Sequence, residues 1–124
     1  MSDPLSILVI DDKRIIGDLF DFTLGYSGHL ITVTDREKTA IEALREQSFD
    51  IVFLDIVMPD KDGIEILKEI KEIAPRIPVV VMTGYSVTDK KNQALKLGAV
   101  ACLKKPFEID DVKKIIRATL GKDI

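Results

Sequence analysis

The chain has 124 residues, 46% of them hydrophobic and 31% charged, a composition that predicts one globular domain with one core and no separate DNA-binding or catalytic module. Lys plus Arg number 18 against 21 Asp plus Glu, a formal charge of -3, so the basic footprint of a nucleic-acid binder is missing. The one cysteine, Cys102, can form neither an intramolecular disulfide nor a cysteine-based zinc site, and no apolar run approaches the roughly 20 residues that span a bilayer; a reducing, cytoplasmic setting without membrane contact is expected.

Taken in chain order, short apolar runs alternate with segments of helical period. Ile7 to Ile10 is continuous rather than alternating, as expected of a strand buried on both faces of a parallel sheet. Ile15, Ile16, Leu19, Phe20 and Thr23 follow at helical spacing, and His29 to Val33, mixed in character, predicts an edge strand. Ala40, Ala43 and Leu44 mark a second helix, Ile51 to Leu54 a third strand, and Ile64, Leu67, Ile70 and Ala74 a third helix. Val79 to Met82 is the fourth strand. A fourth helix over about Val87 to Leu97 has a poor apolar face, anchored by Ala94, Leu95 and Leu97. Ala99 to Leu103 is a weaker fifth strand, and Ile109, Val112, Ile115, Ile116 and Leu120 give a last helix.

The punctuation fits this division. Thr34 with Glu37 suggests a capping box before the second helix, and Ser86 with Asp89 a looser one before the fourth. Gly98 stands where a left-handed helix terminus is wanted. Glu108, Asp110 and Asp111 at the start of the last helix, with Lys113, Lys114, Arg117 and Lys122 further on, complement its dipole. Strict alternation of strand and helix predicts a doubly wound α/β sheet with helices on both faces. Ligands bind such sheets at the carboxyl ends of the strands.

At those ends stand Asp11 and Asp12 after the first strand, Asp55 after the third, Thr83 after the fourth, and Lys104 and Lys105 before Pro106 after the fifth. If the first and third strands are neighbours, three carboxylates share one crevice and repel one another unless protonated or bridged by a cation. Mg²⁺ suits such a site, because it takes oxygen ligands and keeps several waters. With a hydroxyl and an ammonium facing the same point, the guest that fits is a phosphoryl group. Taken singly, Asp11 and Asp12 would also serve as helix N-caps, and Lys104 reads as a solvated loop lysine. Cys102 reads as a small buried hydrophobe, and His29 as a loop or edge-strand residue. Lys90, Lys91 and Lys96 form either a solvated face or a guide for an acidic partner.

Absent motifs narrow the choice. Asp11-Asp12-Lys13-Arg14 stands where a dinucleotide fold would carry G-x-G-x-x-G, and no G-x-x-x-x-G-K-[ST] occurs. Two aspartates after the first strand would also repel a flavin phosphate.

The set Leu8-Val9-Ile10-Asp11-Asp12, Asp55-Ile56-Val57-Met58-Pro59 with Asp62-Gly63, Met82-Thr83-Gly84 and Lys105-Pro106-Phe107 resembles the receiver domain of bacterial two-component response regulators. The resemblance runs from about Ser6 to Leu120, and residues 1–124 are expected to form a single receiver domain. It implies a flavodoxin-like five-stranded parallel sheet in the order 2-1-3-4-5, with five helices. It further implies that Asp55 is the phosphoacceptor, taking a phosphoryl group from a phosphohistidine on a sensor histidine kinase or histidine phosphotransferase. Asp11, Asp12, Asp55 and the Val57 carbonyl would hold Mg²⁺, or Mn²⁺ in its place, Asp11 acting largely through water. Thr83 and Lys105 would each meet a phosphoryl oxygen, and the Lys105-Pro106 bond would be cis.

Two departures from the family pattern stand out. Cys102 occupies a position that is often Tyr or Phe and whose ring turns inward on activation. Val57 and Tyr85 border the path of the water that hydrolyses the acyl phosphate, and neither is an efficient base, so slow to moderate self-dephosphorylation is expected. Among single-domain receivers the Asp62 to Lys68 run, the Lys105 to Asp110 run and Tyr85 lean toward the sporulation phosphorelay intermediate rather than the chemotaxis regulator. An excised receiver of a longer regulator fits equally.

The expected role is thus a phosphoacceptor signalling domain, not an enzyme with an external substrate. It would switch the face of helix 4, strand 5 and helix 5 for a downstream protein target or pass its phosphoryl group on, without direct nucleic-acid contact. A pseudo-receiver that never takes phosphate is the alternative. A Mg²⁺-dependent phosphohydrolase is disfavoured, since Asp11-Asp12 replaces its D-x-D pattern and 124 residues are expected to be too few for a cap domain as well.

Overall fold

A computed structural model describes residues 3–59, 61–84 and 88–124. Five strands and five helices alternate: β1 (Ser6–Ile10), α1 (Arg14–Phe20), β2 (Leu30–Thr34), α2 (Glu37–Glu46), β3 (Ile51–Asp55), α3 (Gly63–Ile73), β4 (Val79–Thr83), α4 (Thr88–Lys96), β5 (Ala101–Lys104) and α5 (Ile109–Leu120). All strand pairs are parallel, in the order β2-β1-β3-β4-β5. This is the doubly wound sheet that the alternation predicts, with the order that the resemblance implies.

The continuous apolar runs are explained by two cores. Leu8 and Ile10, Val52 and Leu54, Val79 and Val81 face one side, where they pack with Ala40, Ile64, Leu67, Ile70 and Ala94 from α2, α3 and α4. Their alternate neighbours Ile7, Val9, Ile51, Phe53, Val80 and Met82 face the other, with Phe20, Val112 and Ile116 from α1 and α5. Every residue of β3 and β4 is therefore buried, which period-two side chains allow only when both faces are covered. β2, at the edge, is half exposed, with Leu30 and Val33 in solvent.

Several local expectations are corrected. Thr34 does not cap α2: it pairs with Ile10 as the last residue of β2, and the helix begins after Arg36 without a side-chain cap. Among the described residues, the reciprocal contact belongs to α5, where the Asp111 carboxylate accepts from the Glu108 amide at 2.9 Å. The Ser86 capping position and the start of the fourth helix at Val87 lie outside the described residues. β5 begins at Ala101 rather than Ala99, because the chain is still leaving α4 through Gly98, whose φ of 104° only glycine adopts without cost. Leu95 points to solvent, leaving Ala94 as the buried anchor of α4 with Leu97 half-buried. On α1, Ile15 is exposed, and the helix runs on as a π-helical stretch over Asp21–Gly25. There Tyr26 donates its amide to the Asp21 carbonyl at 3.2 Å, and the Thr23 hydroxyl donates to the Leu19 carbonyl, a side-chain bond that competes with the helical ladder.

Other readings hold. Cys102 is half-buried against the core formed with α2, α3 and α4, and burial raises its thiol pKa. His29 lies just before β2, where its Nδ1 accepts the Leu5 amide at 2.9 Å and burial lowers its pKa.

The turn after β3 depends on one glycine. The Gly63 amide donates to the Ile56 carbonyl at 3.2 Å, and a Cβ on Gly63 would stand 2.2 Å from Ile56 Cα. Backbone cannot yield as a side-chain tip would. Gly63→Ala is expected to destabilise the fold by about 2–3 kcal/mol, at the upper end of overpacking costs, measured as a lower urea midpoint at unchanged slope.

Candidate phosphoacceptor site

Sheet register builds the site. Ile10 pairs with Leu54, so the residues that follow, Asp11 and Asp55, leave adjacent strands side by side. Their backbones are pinned there: the Asp11 amide donates to the Thr34 carbonyl at 3.0 Å and the Ile56 amide to the Met82 carbonyl at 3.1 Å. Thr83 pairs with Lys104, and the Lys105 amide donates to the Thr83 carbonyl at 2.7 Å, which starts the next loop beside the acidic pair. The Lys105-Pro106 bond is cis, as the resemblance implies.

Asp11, Asp12 and Asp55 each offer a carboxylate oxygen, and these oxygens lie within 4.8 Å of one another. Asp11 and Asp55 are buried and Asp12 stands at the rim. Lys105 enters the cluster from the far side, its Nζ 2.7 Å from Asp11 Oδ2 and 3.1 Å from Asp55 Oδ2, with its side chain only 15% exposed. Burial raises the Asp11 pKa, against the lowering pull of the hydrogen bonds from Lys105 and the Lys13 amide, and the nearby Asp55 charge pushes the same way as burial.

The other oxygens of the two buried carboxylates are spoken for by backbone. Asp11 Oδ1 accepts the Lys13 amide and Asp55 Oδ1 accepts the Val57 amide, each at 2.9 Å. Neither Asp11 nor Asp12 is the N-cap of α1; that position is Lys13, which makes no side-chain capping bond. The N-cap reading of these aspartates is thereby excluded.

Val57 sits two residues past Asp55, 49% exposed and with its backbone bridged to Asp62. Thr83 is buried at the end of β4, where its hydroxyl donates to the Gly84 carbonyl at 3.1 Å rather than to a carboxylate. Tyr85 lies outside the described residues. Lys104 is exposed, as a solvated loop lysine should be.

Sequence reasoning missed Lys13. Its Nζ lies 3.5 Å from Asp12 Oδ1 and 3.6 Å from Asp55 Oδ2, with the side chain 56% exposed. Burial acts to lower its pKa, but the charges of Asp55, Asp12 and Asp11 outweigh this and hold it above the ordinary lysine value. The only signal was its place in Asp11-Asp12-Lys13. Asp62 was quoted only as part of a motif, yet it caps α3 by accepting the Ile64 amide at 3.0 Å and pairs with Lys90 of α4 at 3.3 Å. The Ile64 amide lowers the Asp62 pKa despite partial burial, with help from Lys90.

The donor set fits a hard divalent cation: oxygen ligands, net negative charge, one side open to solvent. Beside Lys105 an apolar hollow of about 440 Å³ opens between α1 and the loop after β5, lined by Ile15, Ile16, Leu19, Pro106 and Phe107.

Comparison with known proteins agrees with this fold. The family model of the response regulator receiver domain matches residues 7–117. Over 119 residues the chain is 37% identical to the transcriptional regulatory protein ZraR of Escherichia coli strain K12, covering 96% of this chain and 27% of that protein. The crystal structure of NtrX from Brucella abortus superposes with a TM-score of 0.89 at 30% identity, over 96% of this chain and 27% of that one. A response regulator receiver domain protein from Clostridium thermocellum superposes with a TM-score of 0.87 at 32% identity, over 94% of each chain. The chain thus spans about a quarter of the length of ZraR and NtrX.

Removing the Lys105 ammonium would leave Asp11 without its ammonium partner and Asp55 with only the looser Lys13. Lys105→Met is expected to cost about 3 kcal/mol of stability in chelator, the low end for breaking a buried pair. Part of that loss should return when millimolar Mg²⁺ is added during urea denaturation.

Proposed function

The chain belongs to the response regulator receiver domain family, and on that premise we propose that Asp55 accepts a phosphoryl group from a phosphohistidine of a sensor histidine kinase or histidine phosphotransferase. The observation that carries this reading is the grouping of Asp55 with Asp11, Asp12 and Lys105 at the carboxyl end of the sheet. Asp55 is the central member: it lies on the strand flanked by β1 and β4, and its carboxylate is oriented by the Val57 amide on one oxygen and Lys105 on the other.

In the transfer, a carboxylate oxygen of Asp55 attacks phosphorus while the bond from phosphorus to the histidine nitrogen breaks. The electron pair of that bond goes to the leaving imidazole, and Asp55 becomes an acyl phosphate. Asp12, Asp55 and the Val57 carbonyl would hold Mg²⁺, with Asp11 acting through water, and the ion would supply charge neutralisation for the phosphoryl oxygens; Mn²⁺, with the same oxygen preference, would serve in its place. Lys105 leaves its ion pairs with Asp11 and Asp55 for a phosphoryl oxygen. Thr83 gives up its bond to the Gly84 carbonyl to donate to another. That exchange at the ends of β4 and β5 gives the signal a route to the α4, β5 and α5 face, where a downstream protein target would read it.

Among the described residues no helix is long and apolar enough to cross a membrane, and we place the domain in the cytoplasm with its donor. The activity is self-modification: the chain promotes the phosphorylation and dephosphorylation of its own Asp55 and turns over no other substrate. The exposed Val57 side chain offers no base for an attacking water, so the acyl phosphate should persist for minutes rather than seconds.

Intact mass after incubation with a small acyl-phosphate donor and Mg²⁺ tests this directly. One phosphoryl addition is expected, absent in Asp55→Asn and in a chelated control, and decaying over minutes once donor is removed. A folded, Mg²⁺-binding chain that gains no mass would make it a pseudo-receiver. Loss of the added mass within seconds would overturn the reading of Val57.

A further inference from the structure

We propose that Lys13 is an internal counter-cation at the divalent site, set against two of the three carboxylates that would hold the metal, and that it sets the site's metal affinity by having to be displaced. This rests on reading the carboxylate cluster as the Mg²⁺ site. Three carboxylates converge, and two ammonium groups answer them in different ways.

Lys105 is largely buried and makes short contacts with Asp11 and Asp55, at 2.7 and 3.1 Å. It belongs to the wall of the site. Lys13 is more than half exposed and stands 3.5 and 3.6 Å from Asp12 Oδ1 and Asp55 Oδ2, beyond the 2.7–2.9 Å of a strong charge-assisted bond. It is a loose occupant, held by charge rather than by fit. The two carboxylates it touches are Asp12 and Asp55, both of them in the cluster that would take a divalent ion.

The backbone limits how Lys13 can respond. Its amide is tied to Asp11 Oδ1 at 2.9 Å, and the residue is the N-cap of α1. The root of the side chain therefore stays beside the cluster, and only its four-carbon stem can swing the ammonium outward. A metal ion drawing oxygen ligands at about 2.1 Å from Asp12 and Asp55 competes with the Lys13 ammonium for the charge of those two carboxylates. Even after swinging away, a tethered positive charge lies within a Debye length of the ion, about 8 Å at physiological ionic strength, and opposes its binding. Lys13 is thus a positioning residue that balances the cluster when the metal is absent and weakens the site for it.

The test is calorimetric titration of Mg²⁺ into the unphosphorylated protein and into Lys13→Gln and Lys13→Arg, at low and high salt. Because Lys13 is exposed, both variants should keep the wild-type circular dichroism. Lys13→Gln is expected to bind Mg²⁺ at least threefold more tightly, with the gain shrinking in 0.5 M salt, while Lys13→Arg stays within twofold of the native chain. Equal or weaker binding by Lys13→Gln beside normal binding by the native chain would overturn the role given to Lys13 and leave the metal site standing. Failure of every form to bind Mg²⁺ would overturn the metal site and this inference together.

Discussion

Repulsion among Asp11, Asp12 and Asp55 is the constraint around which the molecule is organised. Carboxylate oxygens within 4.8 Å of one another, two of the three groups buried, would push the chain apart or force protonation if nothing opposed them. Burial is the main cause of the raised Asp11 pKa, and the charge of Asp55 adds to it in smaller measure. The closest opposition comes from a distant part of the chain: Lys105, 94 residues from Asp11 in sequence, reaches both buried carboxylates, while the neighbouring Lys13 answers Asp12 and Asp55 more loosely. The parallel sheet makes this meeting possible, since every strand ends on the same edge and the register of β4 with β5 delivers Lys105 next to Thr83.

The same geometry explains why stability and function pull in different directions. Apolar side chains filling that crevice would suit the fold better than a cluster of like charges. Two cores, one on each face of the sheet, supply the surplus that tolerates it. A lysine that cancels the carboxylates is also a lysine free to change partner, so the interaction that stabilises the resting site is the one a phosphoryl group would compete for. From Asp55 a second path runs through the Val57 amide, the bridge from Val57 to Asp62, and the ion pair of Asp62 with Lys90. It ends on α4, whose buried anchor is a single alanine. A helix so lightly held can respond to a change at the site.

Much of this was legible before any coordinates. Continuous apolar runs identified β1, β3 and β4, because strands covered on both faces cannot alternate, and Asp11, Asp55, Thr83 and Lys105 stood at the ends where such sheets bind ligands. Other features were hidden for physical reasons. Thr34 looked like a cap because its side chain suits one, but backbone pairing with Ile10 extended β2 through it. Ala99 and Val100 looked like strand because they are apolar, but the chain turns at Gly98 before it can pair beyond Val100. Lys13 gave no signal beyond its place after two aspartates, where a lysine is ordinarily a solvated charge. Its meaning depends on Asp55, which only the fold brings near. Gly63 was quoted as part of a motif, yet its necessity, the close passage over Ile56, exists only in three dimensions.

If mutual repulsion held in check by Lys105 governs the site, the coupling between Asp55 and Lys105 must be measurable in the folding free energy. A double-mutant cycle with Asp55→Asn and Lys105→Met, followed by urea unfolding in chelator, isolates it. The account predicts a favourable coupling of at least about 1 kcal/mol, as for contacting charged groups, that shrinks when saturating Mg²⁺ takes over the neutralising role. Additive effects of the two substitutions, with and without metal, would contradict it.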